Sequence, residues 1–354
     1  MLAWREAGKS SRWPKPTAPA EPPLTFFPIR RYDAASYGSP TVGRQEGIPF
    51  VKSGSKLERV LASGQFAVTA EAGPPRGSQA DAMLKKGELL KDVADAINVT
   101  DNQIAMVRMS SLAGCVLLRQ AGAEPVLQMA LRDRNRLALQ SDLLGAAALG
   151  IRNVLCLVGD HPHLGNHPSA MGVYDIDPIH LIQAVKDLRD EHRLMNGQSI
   201  AGDVPLFIGA VANPAVESTG MGLLGLRKKV AAGADFLQTQ AVFDIAGFRA
   251  WMDEVCRQGL HERVHILPSV LPIKSLAMAR RIREGIPGLR IPEELIRRME
   301  QATDASEVGL RFCVEIIEQL RATTGVHGVH IMAVAWEETV PRIVKEAGLF
   351  PRPA

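Results

Sequence analysis

The sequence lacks the features that define several classes of protein. It has no run of about 20 apolar residues, which a membrane-spanning helix would need. Its first residues, MLAWREAGKSSRWPKP, carry charge and proline where a secretion signal would be apolar. Lys and Arg form no long run, few aromatic residues lie between them, and the net charge is only +3. We therefore expect a soluble protein that binds neither membranes nor nucleic acid.

Cysteine is also scarce. The four cysteines, Cys115, Cys156, Cys256 and Cys313, are widely separated and form no CxxC pair. Three of them lie inside apolar runs such as AGCVLL and VLCLVG, which is typical of buried thiols. This pattern favours free thiols and a cytoplasmic location.

The first 55 residues lack the periodic apolar pattern of a core element. They are rich in Pro, Ser, Gly and Arg, and the first helical pattern, LERVLASG, begins at Leu57. The segment nevertheless contains the apolar residues Phe26, Phe27, Ile29, Tyr32 and Tyr37. We interpret residues 1–55 as a partly ordered N-terminal extension that lies over a neighbouring surface or subunit. Simple disorder is the alternative.

From Phe66 onward, short β-rich runs alternate with longer segments of helical period, as in repeated βα units. The strand candidates are FAVTAE (66–71), AINVT (96–100), EPVLQMA (124–130), NVLCLVGD (153–160), PLFIGAVA (205–212), DFLQTQ (235–240), VHILPSV (264–270) and GVHIMAV (328–334). Between them lie helical segments such as DPIHLIQAVKDLRDEHR, for which Asp177 and Pro178 supply the cap and the first-turn proline. Eight such units predict that residues 56–354 form one eight-stranded β/α (TIM) barrel.

An open, doubly wound sheet would also alternate strands with helices. Dinucleotide-binding sheets of that type carry a GxGxxG turn after the first strand. The corresponding segment here is EAGPPRG. This difference favours the barrel.

Polar residues cluster at the carboxyl ends of the strand candidates, where β/α barrels build their active sites. The cluster comprises Glu71, Thr100, Asp101, Arg132, Asp133, Asp160, Asn213 and Gln240. Each residue alone could cap the helix that follows it. Together they indicate a functional site at this end of the barrel.

Two carboxylates in the cluster suggest chemistry. Glu71 precedes the rigid turn GPPRG and has no Lys or Arg beside it in sequence, so it could lie in a cleft as a general acid. The alternative is a solvated loop glutamate. Asp160 closes an almost wholly apolar strand, where a carboxylate in a medium of low dielectric constant could stabilise a developing cation. The alternative is a helix cap.

Two further segments allow more than one interpretation. DHPHLGNHP brings His161, His163 and His167 close together in sequence, but no Cys or carboxylate of zinc-ligand spacing accompanies them, so we predict no metal site. GMGLLGLRKK places glycines before the basic residues Arg227–Lys229. This segment could hold a diphosphate, or it could be a solvated basic face of a helix.

Six segments, taken in order, resemble the methylenetetrahydrofolate reductase family, especially its longer bacterial flavoproteins. They are TAEAGPP, NVTDN, LRDRN, LVGDHPHLGNHP followed by VYDID, KKVAAGADFLQTQAVFD and GLRIPEEL. The similarity runs from Leu57 to Leu349. The resemblance implies a flavoprotein barrel that reduces 5,10-methylenetetrahydrofolate to 5-methyltetrahydrofolate, with hydride passed from N5 of the flavin to the methylene carbon.

The resemblance also implies roles for single residues. Glu71 matches the general acid that helps to open the five-membered ring of the bound folate to an iminium ion. Asp160 matches the aspartate between flavin and folate, and Gln240 matches the glutamine that binds the pterin. The positions that correspond to flavin or phosphate contacts are Thr100, Gln128, Leu157, Gly159, Asp160, Tyr174, Asn213 and Lys229.

The implied cofactor is FAD, with FMN as the alternative, and the flavin is expected to be reduced by NADH or NADPH or by another donor. The sequence departs from the family pattern at several contacts. Gln128 stands where members often have histidine, Asn213 where they often have tyrosine, and Val158 where LRGD members have arginine. The aliphatic segment Leu271–Ile273 replaces an aromatic residue that stacks on the folate or the nicotinamide.

Three functions therefore stay open at this point. The first is a complete reductase with a nicotinamide donor. The second is a flavin- or folate-binding subunit of a larger one-carbon complex, which receives electrons from a partner protein or passes methyl groups to a methyltransferase. The third is a folate-binding barrel without redox chemistry. We expect a homo-oligomer because the family forms oligomers.

Overall fold

A closed barrel of parallel strands forms the centre of the protein. The computed structural model describes residues 51–216, 220–285, 289 and 291–353. Neighbouring strands pair in sequence order, and β8 pairs with β1 to close the barrel. The strands are β1 (Ala67–Ala72), β2 (Ala96–Val99), β3 (Pro125–Ala130), β4 (Asn153–Leu157), β5 (Phe207–Ala212), β6 (Phe236–Ala241), β7 (His265–Val270) and β8 (Gly328–Ile331). The predicted β/α barrel and its eight strands are confirmed.

Helices surround the barrel. They are α1 (Lys56–Ala62), α2 (Ala80–Leu90), α3 (Ser111–Gln120), α4 (Arg136–Ala148), α5 (Pro178–Asp190), α6 (Gly220–Ala232), α7 (Ile245–Arg257), α8 (Leu276–Gly285), α9 (Glu293–Gln301), α10 (Ala305–Arg321) and α11 (Val340–Glu346). As predicted, Asp177 caps α5, because its carboxylate accepts a hydrogen bond of 2.8 Å from the amide of His180. None of the helices in the described ranges is long and apolar enough to cross a membrane.

The connection between β7 and β8 is longer than the others. It contains α8, α9 and α10, which form a small apolar core of their own. Ile273, Leu295 and Met299 are almost fully buried in this core. The aliphatic segment after β7 therefore packs against α9 and supports the rim of the barrel at this point.

Helix α1 covers the amino-terminal end of the barrel. Ser55 caps it by accepting a hydrogen bond from the amide of Glu58. Its apolar residues Leu57, Val60 and Leu61 pack against the first residues of the strands in one buried cluster. This end of the barrel is filled with side chains.

The barrel interior changes from apolar to polar along the strands. Near the amino-terminal end, the rings of Phe207 and Phe236 stack with their centroids 5.4 Å apart. Gly209 leaves space for this pair, because a Cβ atom there would lie 2.3 Å from the ring of Phe236. Beyond this layer lie the buried polar side chains of Thr69 and Gln238. The alternation of side chains along a strand therefore leads from an apolar floor to a polar cavity.

The predicted N-terminal extension falls largely on residues 1–50, which lie outside the described residues. The last part, residues 51–55, runs into α1. There the Glu58 carboxylate accepts hydrogen bonds from the amides of Lys52, Ser53 and Gly54. These contacts tie the start of the described chain to the barrel.

Candidate functional site

A cavity of about 380 Å³ opens at the carboxyl ends of the strands. It is lined mainly by residues of β1, β3 to β6 and the segments that follow them. Eight of the predicted site residues contribute to its wall: Glu71, Gln128, Leu157, Gly159, Asp160, Asn213, Lys229 and Gln240. The structure thus brings most of the predicted residues together, whereas their roles stay predictions.

Glu71 lines this cavity and is largely buried, since its side chain is 14% exposed. One of its carboxylate oxygens is 3.9 Å from Nε2 of His330 on β8. The other ring nitrogen of His330, Nδ1, is 2.9 Å from the hydroxyl of Thr69. Glu71 is therefore not the solvated loop glutamate that the sequence left open as an alternative.

A buried pair of amides extends this arrangement across the barrel. Asn98 donates a hydrogen bond of 2.6 Å to the side-chain oxygen of Gln238, and Gln238 donates to Asn98 at 3.2 Å and to Thr69 at 3.1 Å. Each of these side chains is at most 3% exposed. Because buried polar groups cost stability unless they are paired, this complete pairing holds the side chains in fixed positions.

Sequence reasoning missed His330, Gln238 and Asn98. All three lie inside apolar strands, and none lies at a strand end. The only available signal was a polar side chain between apolar neighbours in a strand, as His330 in GVHIMAV and Asn98 in AINVT. Such a residue usually needs a buried partner, and here the partners lie on different strands.

Asp160 occupies the rim of the cavity and is exposed. Its carboxylate accepts a hydrogen bond of 2.7 Å from the amide of Ile104, in the loop after β2. Ile104 and its neighbour Ala105 both have positive φ values, 56° and 50°. The Asp160 carboxylate therefore binds an unusual turn of the β2 loop, and its surroundings are more polar than the sequence predicted.

The loops after β2 and β4 also meet at a second point. The amide of Val107 donates to the side-chain oxygen of Asn166 at 3.1 Å. A Cβ atom at Gly165 would lie 1.9 Å from the carbonyl oxygen of Ala105. These close contacts hold the two loops together beside Asp160.

Two predicted flavin contacts lie outside the cavity wall. Thr100 is buried, and its hydroxyl donates a hydrogen bond to the side chain of Gln103. Tyr174 lies 36% exposed, and its amide donates to the carbonyl of Leu131 at 3.3 Å. The structure therefore does not bring these two side chains together with the other predicted residues.

The remaining polar residues of the predicted cluster form structural ion pairs. Asp101 is almost fully buried and binds Arg134 at 2.6 Å and the amide of Ala130 at 2.9 Å. Arg132 binds Asp133 at 2.7 Å. None of the three caps the helix that follows, because Ser110 caps α3 and Asn135 caps α4, so the helix-cap alternative is wrong for them.

The structure also describes parts of the two segments that allowed more than one interpretation, GMGLLGLRKK and DHPHLGNHP. Arg227 and Lys228 are exposed on α6, whereas Lys229 is partly buried and donates a hydrogen bond of 2.7 Å to the carbonyl of Val211 beside the cavity. In the loop after β4, His161 accepts a hydrogen bond from the amide of His163. Within the described ranges, no group of three or more His, Cys, Asp or Glu is arranged to hold a metal ion.

A second cavity of about 270 Å³ adjoins the first one. It shares Asn213 and Gln240 with the main cavity and reaches the start of α7, near Asp244 and Phe248. Gln240 is exposed at the end of β6 and thus lies between the two spaces. A ligand larger than one ring system could extend from one into the other.

A closed β/α barrel with convergent carboxylate, amide and ammonium groups at the carboxyl ends of its strands has the organisation of a barrel enzyme. The family model described as methylenetetrahydrofolate reductase matches residues 56–348. The chain belongs to this family, and the resemblance found in the sequence is confirmed.

Individual relatives are distant. The chain is 22% identical over 307 residues to a probable methylenetetrahydrofolate reductase (NADPH) of Caenorhabditis elegans, which covers 83% of this chain and 44% of that protein. It is 25% identical over 206 residues to the 5,10-methylenetetrahydrofolate reductase of Escherichia coli (strain K12), which covers 57% of this chain and 62% of that protein. The chain thus spans less than two thirds of the length of either relative.

A solved structure has the same fold. It is described as an uncharacterized protein from Clostridium thermocellum that binds two copies of 5-methyl-5,6,7,8-tetrahydrofolic acid. The TM-score is 0.56 at 13% sequence identity, and the match covers 84% of this chain and 98% of the other. At this identity, the likeness supports the barrel fold alone.

Proposed function

We propose that the protein reduces 5,10-methylenetetrahydrofolate to 5-methyltetrahydrofolate in a flavin-dependent reaction. The observation that carries this proposal is the convergence of Glu71, Asp160 and Gln240 on one cavity in a chain of this family. These are the three positions at which the family resemblance implies an acid, a stabilising carboxylate and a pterin-binding amide. The relatives named above support the same reaction.

The residues around the cavity fit FAD. Gln128 and Asn213 offer amide groups, and Lys229 brings a positive charge that suits a diphosphate. At Gly159, which has a φ of 86°, a Cβ atom would lie 3.0 Å from Ala130, so glycine lets the segment after β4 pack closely against β3 at the cavity wall. When bound, the flavin would supply hydride from its N5 atom.

The protein side chains have separate tasks in this proposal. Glu71 donates a proton to the folate as the five-membered ring opens, and the buried His330 fixes its position. Asp160 stabilises the cation that then forms on the folate. Gln240 binds the pterin by hydrogen bonds. Binding the folate at this depth also excludes water from the reacting carbon.

The electron donor is either NADH or NADPH, or a partner protein. The second possibility is favoured by one observation. Leu271 and Ile273, which replace an aromatic residue of the family, are buried against α9 and offer no ring on which a nicotinamide can stack. In this second candidate function, the chain is a subunit of a larger one-carbon complex, fed electrons by a partner or passing methyl groups to a methyltransferase.

Two further properties belong to the proposal. The first is a homo-oligomer, which rests on the family resemblance. The second is a cytoplasmic location, which is supported by four free cysteines, three of them buried.

The proposed function is tested by the absorption of the purified protein during one reaction cycle. The purified protein should be yellow. After anaerobic reduction of its flavin with dithionite, addition of methylenetetrahydrofolate should reoxidise the flavin and restore its absorption. A flavin that stays reduced would contradict the proposed reaction and favour the subunit function. A colourless protein that binds folate but no added FAD or FMN would leave only the folate-binding function.

A further inference from the structure

Glu71 borders two cavities. The main cavity lies on one side, and a smaller one of about 90 Å³ lies on the other. Among the residues that the structure describes, Glu71 alone lines both of these spaces. The smaller cavity also touches Val334, which is 42% exposed, so it approaches the surface near the end of β8. We call it the side cavity.

Charged side chains line the side cavity. Lys86 of α2 forms an ion pair with Glu337 and donates a hydrogen bond of 2.8 Å to the carbonyl of Gly73. Arg108 donates to the carbonyl of Pro74 at 2.9 Å. Two cations, Lys86 and Arg108, therefore stand beside two carboxylates, those of Glu71 and Glu337.

The chemistry of these walls favours water inside the side cavity. Its volume is several times the ~15 Å³ that one water molecule needs on the same measure. Four of the residues that line it, Glu71, Lys86, Arg108 and Glu337, carry ionisable side chains. A cavity of this size with polar walls takes up water.

The proposed function creates a need for such water. Glu71 gives up one proton in each reaction, while flavin and folate occupy the main cavity and separate the carboxylate from solvent on that side. We propose that Glu71 regains its proton from bulk solvent through the side cavity, along water held by Lys86 and Glu337. This inference rests on the proposed function.

The proton transfer balances without another reactant. One O–H bond forms on the Glu71 carboxylate as an O–H bond of the nearest water breaks. The next water returns a proton to that one, and bulk solvent supplies the last proton of the chain. Lys86 and Glu337 act as positioning residues, because they orient the water and do not line the main cavity.

The test follows a single reaction of the full-length protein with reduced flavin. Methylenetetrahydrofolate is added in weak buffer that contains a pH indicator, and flavin oxidation, proton uptake and product release are recorded together. In the wild type, proton uptake should keep pace with flavin oxidation and precede product release. In Glu337→Gln, flavin oxidation should keep its rate, because the first proton is already on Glu71, whereas proton uptake should lag several-fold and coincide with product release.

Lys86→Met should produce the same lag, and Glu337→Gln carries the test if Lys86→Met does not fold. Two substitutions at exposed neighbouring residues serve as matched controls: Lys85→Met beside Lys86 on α2, and Glu338→Gln beside Glu337. Proton uptake should not lag in either control. Proton uptake that stays fast in Glu337→Gln, or that follows product release in the wild type, would overturn the inference. If flavin oxidation and proton uptake slowed equally in Glu337→Gln, the role of Glu337 would be structural, which would also overturn the inference. A wild-type flavin that is not oxidised at all would refute the proposed function itself.

Discussion

Nδ1 of His330 lies 2.9 Å from the hydroxyl oxygen of Thr69, and its Nε2 lies 3.9 Å from a carboxylate oxygen of Glu71. Gln238 donates to the same hydroxyl oxygen, so Thr69 joins His330 to the buried amide pair. The barrel core thereby orients the candidate acid through one histidine.

Glu71→Gln should slow the oxidation of reduced flavin by methylenetetrahydrofolate by ~100-fold or more, because the amide cannot donate the acid proton. Flavin binding and reduction of the flavin by dithionite should stay largely intact. Rapid mixing with absorption detection measures both steps. An unchanged rate of flavin oxidation would remove Glu71 from the role of general acid.

Thr69→Val should slow the same step by up to ~100-fold, because loss of the hydroxyl frees the His330 ring to move relative to Glu71. Thr69→Ser keeps the hydroxyl and should keep most of the rate. Both variants remain close to threonine in volume, so a comparison of their single-turnover rates separates the hydrogen bond from packing. Equal rates of flavin oxidation in Thr69→Val and Thr69→Ser would show that the Thr69 hydroxyl has no effect on this step.

Asp160→Asn should change both the reduction of the flavin and its oxidation by folate, since it removes a negative charge from the rim of the cavity. The loss in the folate step should reach ~100-fold, as is typical when one group that stabilises the transition state is removed. The asparagine oxygen can still accept the hydrogen bond from Ile104, so the loop should keep its position. Asp203→Asn, at an exposed site outside the main cavity, is the control. Normal kinetics in both half-reactions would exclude Asp160 from the site.

Lys229→Met should weaken FAD binding by ~10-fold or more, the amount expected from loss of one charged hydrogen bond. Lys228→Met removes the same charge from the next position of α6, where the side chain is exposed, and should leave the affinity unchanged. Titration of the protein with FAD, followed by fluorescence, measures the dissociation constants. Equal affinities of the two variants would contradict a role of Lys229 in FAD binding.

Acid should destabilise the fold through His265, near the amino-terminal end of the barrel. Burial lowers the pKa of His265 to about 4, with further lowering by His327 and Lys52, while Glu58 opposes the shift. Between the folded pKa and the ordinary value near 6.5, the unfolded chain binds more protons, so the free energy of unfolding decreases as pH falls through this window. The loss from this residue is about 3 kcal/mol at most.

His265→Gln should therefore flatten the pH dependence of unfolding between pH 6.5 and 4, relative to the wild type. His167→Gln, in the exposed loop after β4, is the control and should leave the slope as it is. Urea unfolding at several pH values supplies the measurement. A slope that is the same in His265→Gln and in the wild type would contradict this assignment.

The barrel was predictable because each βα unit carries a local signal. Strand candidates such as NVLCLVGD and PLFIGAVA are short apolar runs bounded by turns, and β4 and β5 lie within them. Positions at strand ends were predictable for the same reason. Glu71 and Gln240 reach the main cavity because the carboxyl ends of parallel strands meet at one end of a barrel.

Side-chain partners were not predictable to the same degree. Glu71 lies near the end of β1 and Asp101 lies just beyond β2, at the same end of the barrel, yet Asp101 binds Arg134 and Glu71 faces His330. Arg134 lies 33 positions from Asp101 in the sequence, and His330 lies 259 positions from Glu71. No local sequence pattern encodes partners at such separations. The exposure of Asp160 likewise follows from the path of the β2 loop, which turns through residues of positive φ.

Helix α1 has a consequence for access to the main cavity. It closes one end of the barrel with Leu57, Val60 and Leu61, so that, in the part of the chain that the structure describes, large molecules reach the main cavity from the opposite end. In the proposed function, the flavin and the folate reach the cavity by that one entrance. A helix that touches neither ligand thereby restricts both to one route of entry.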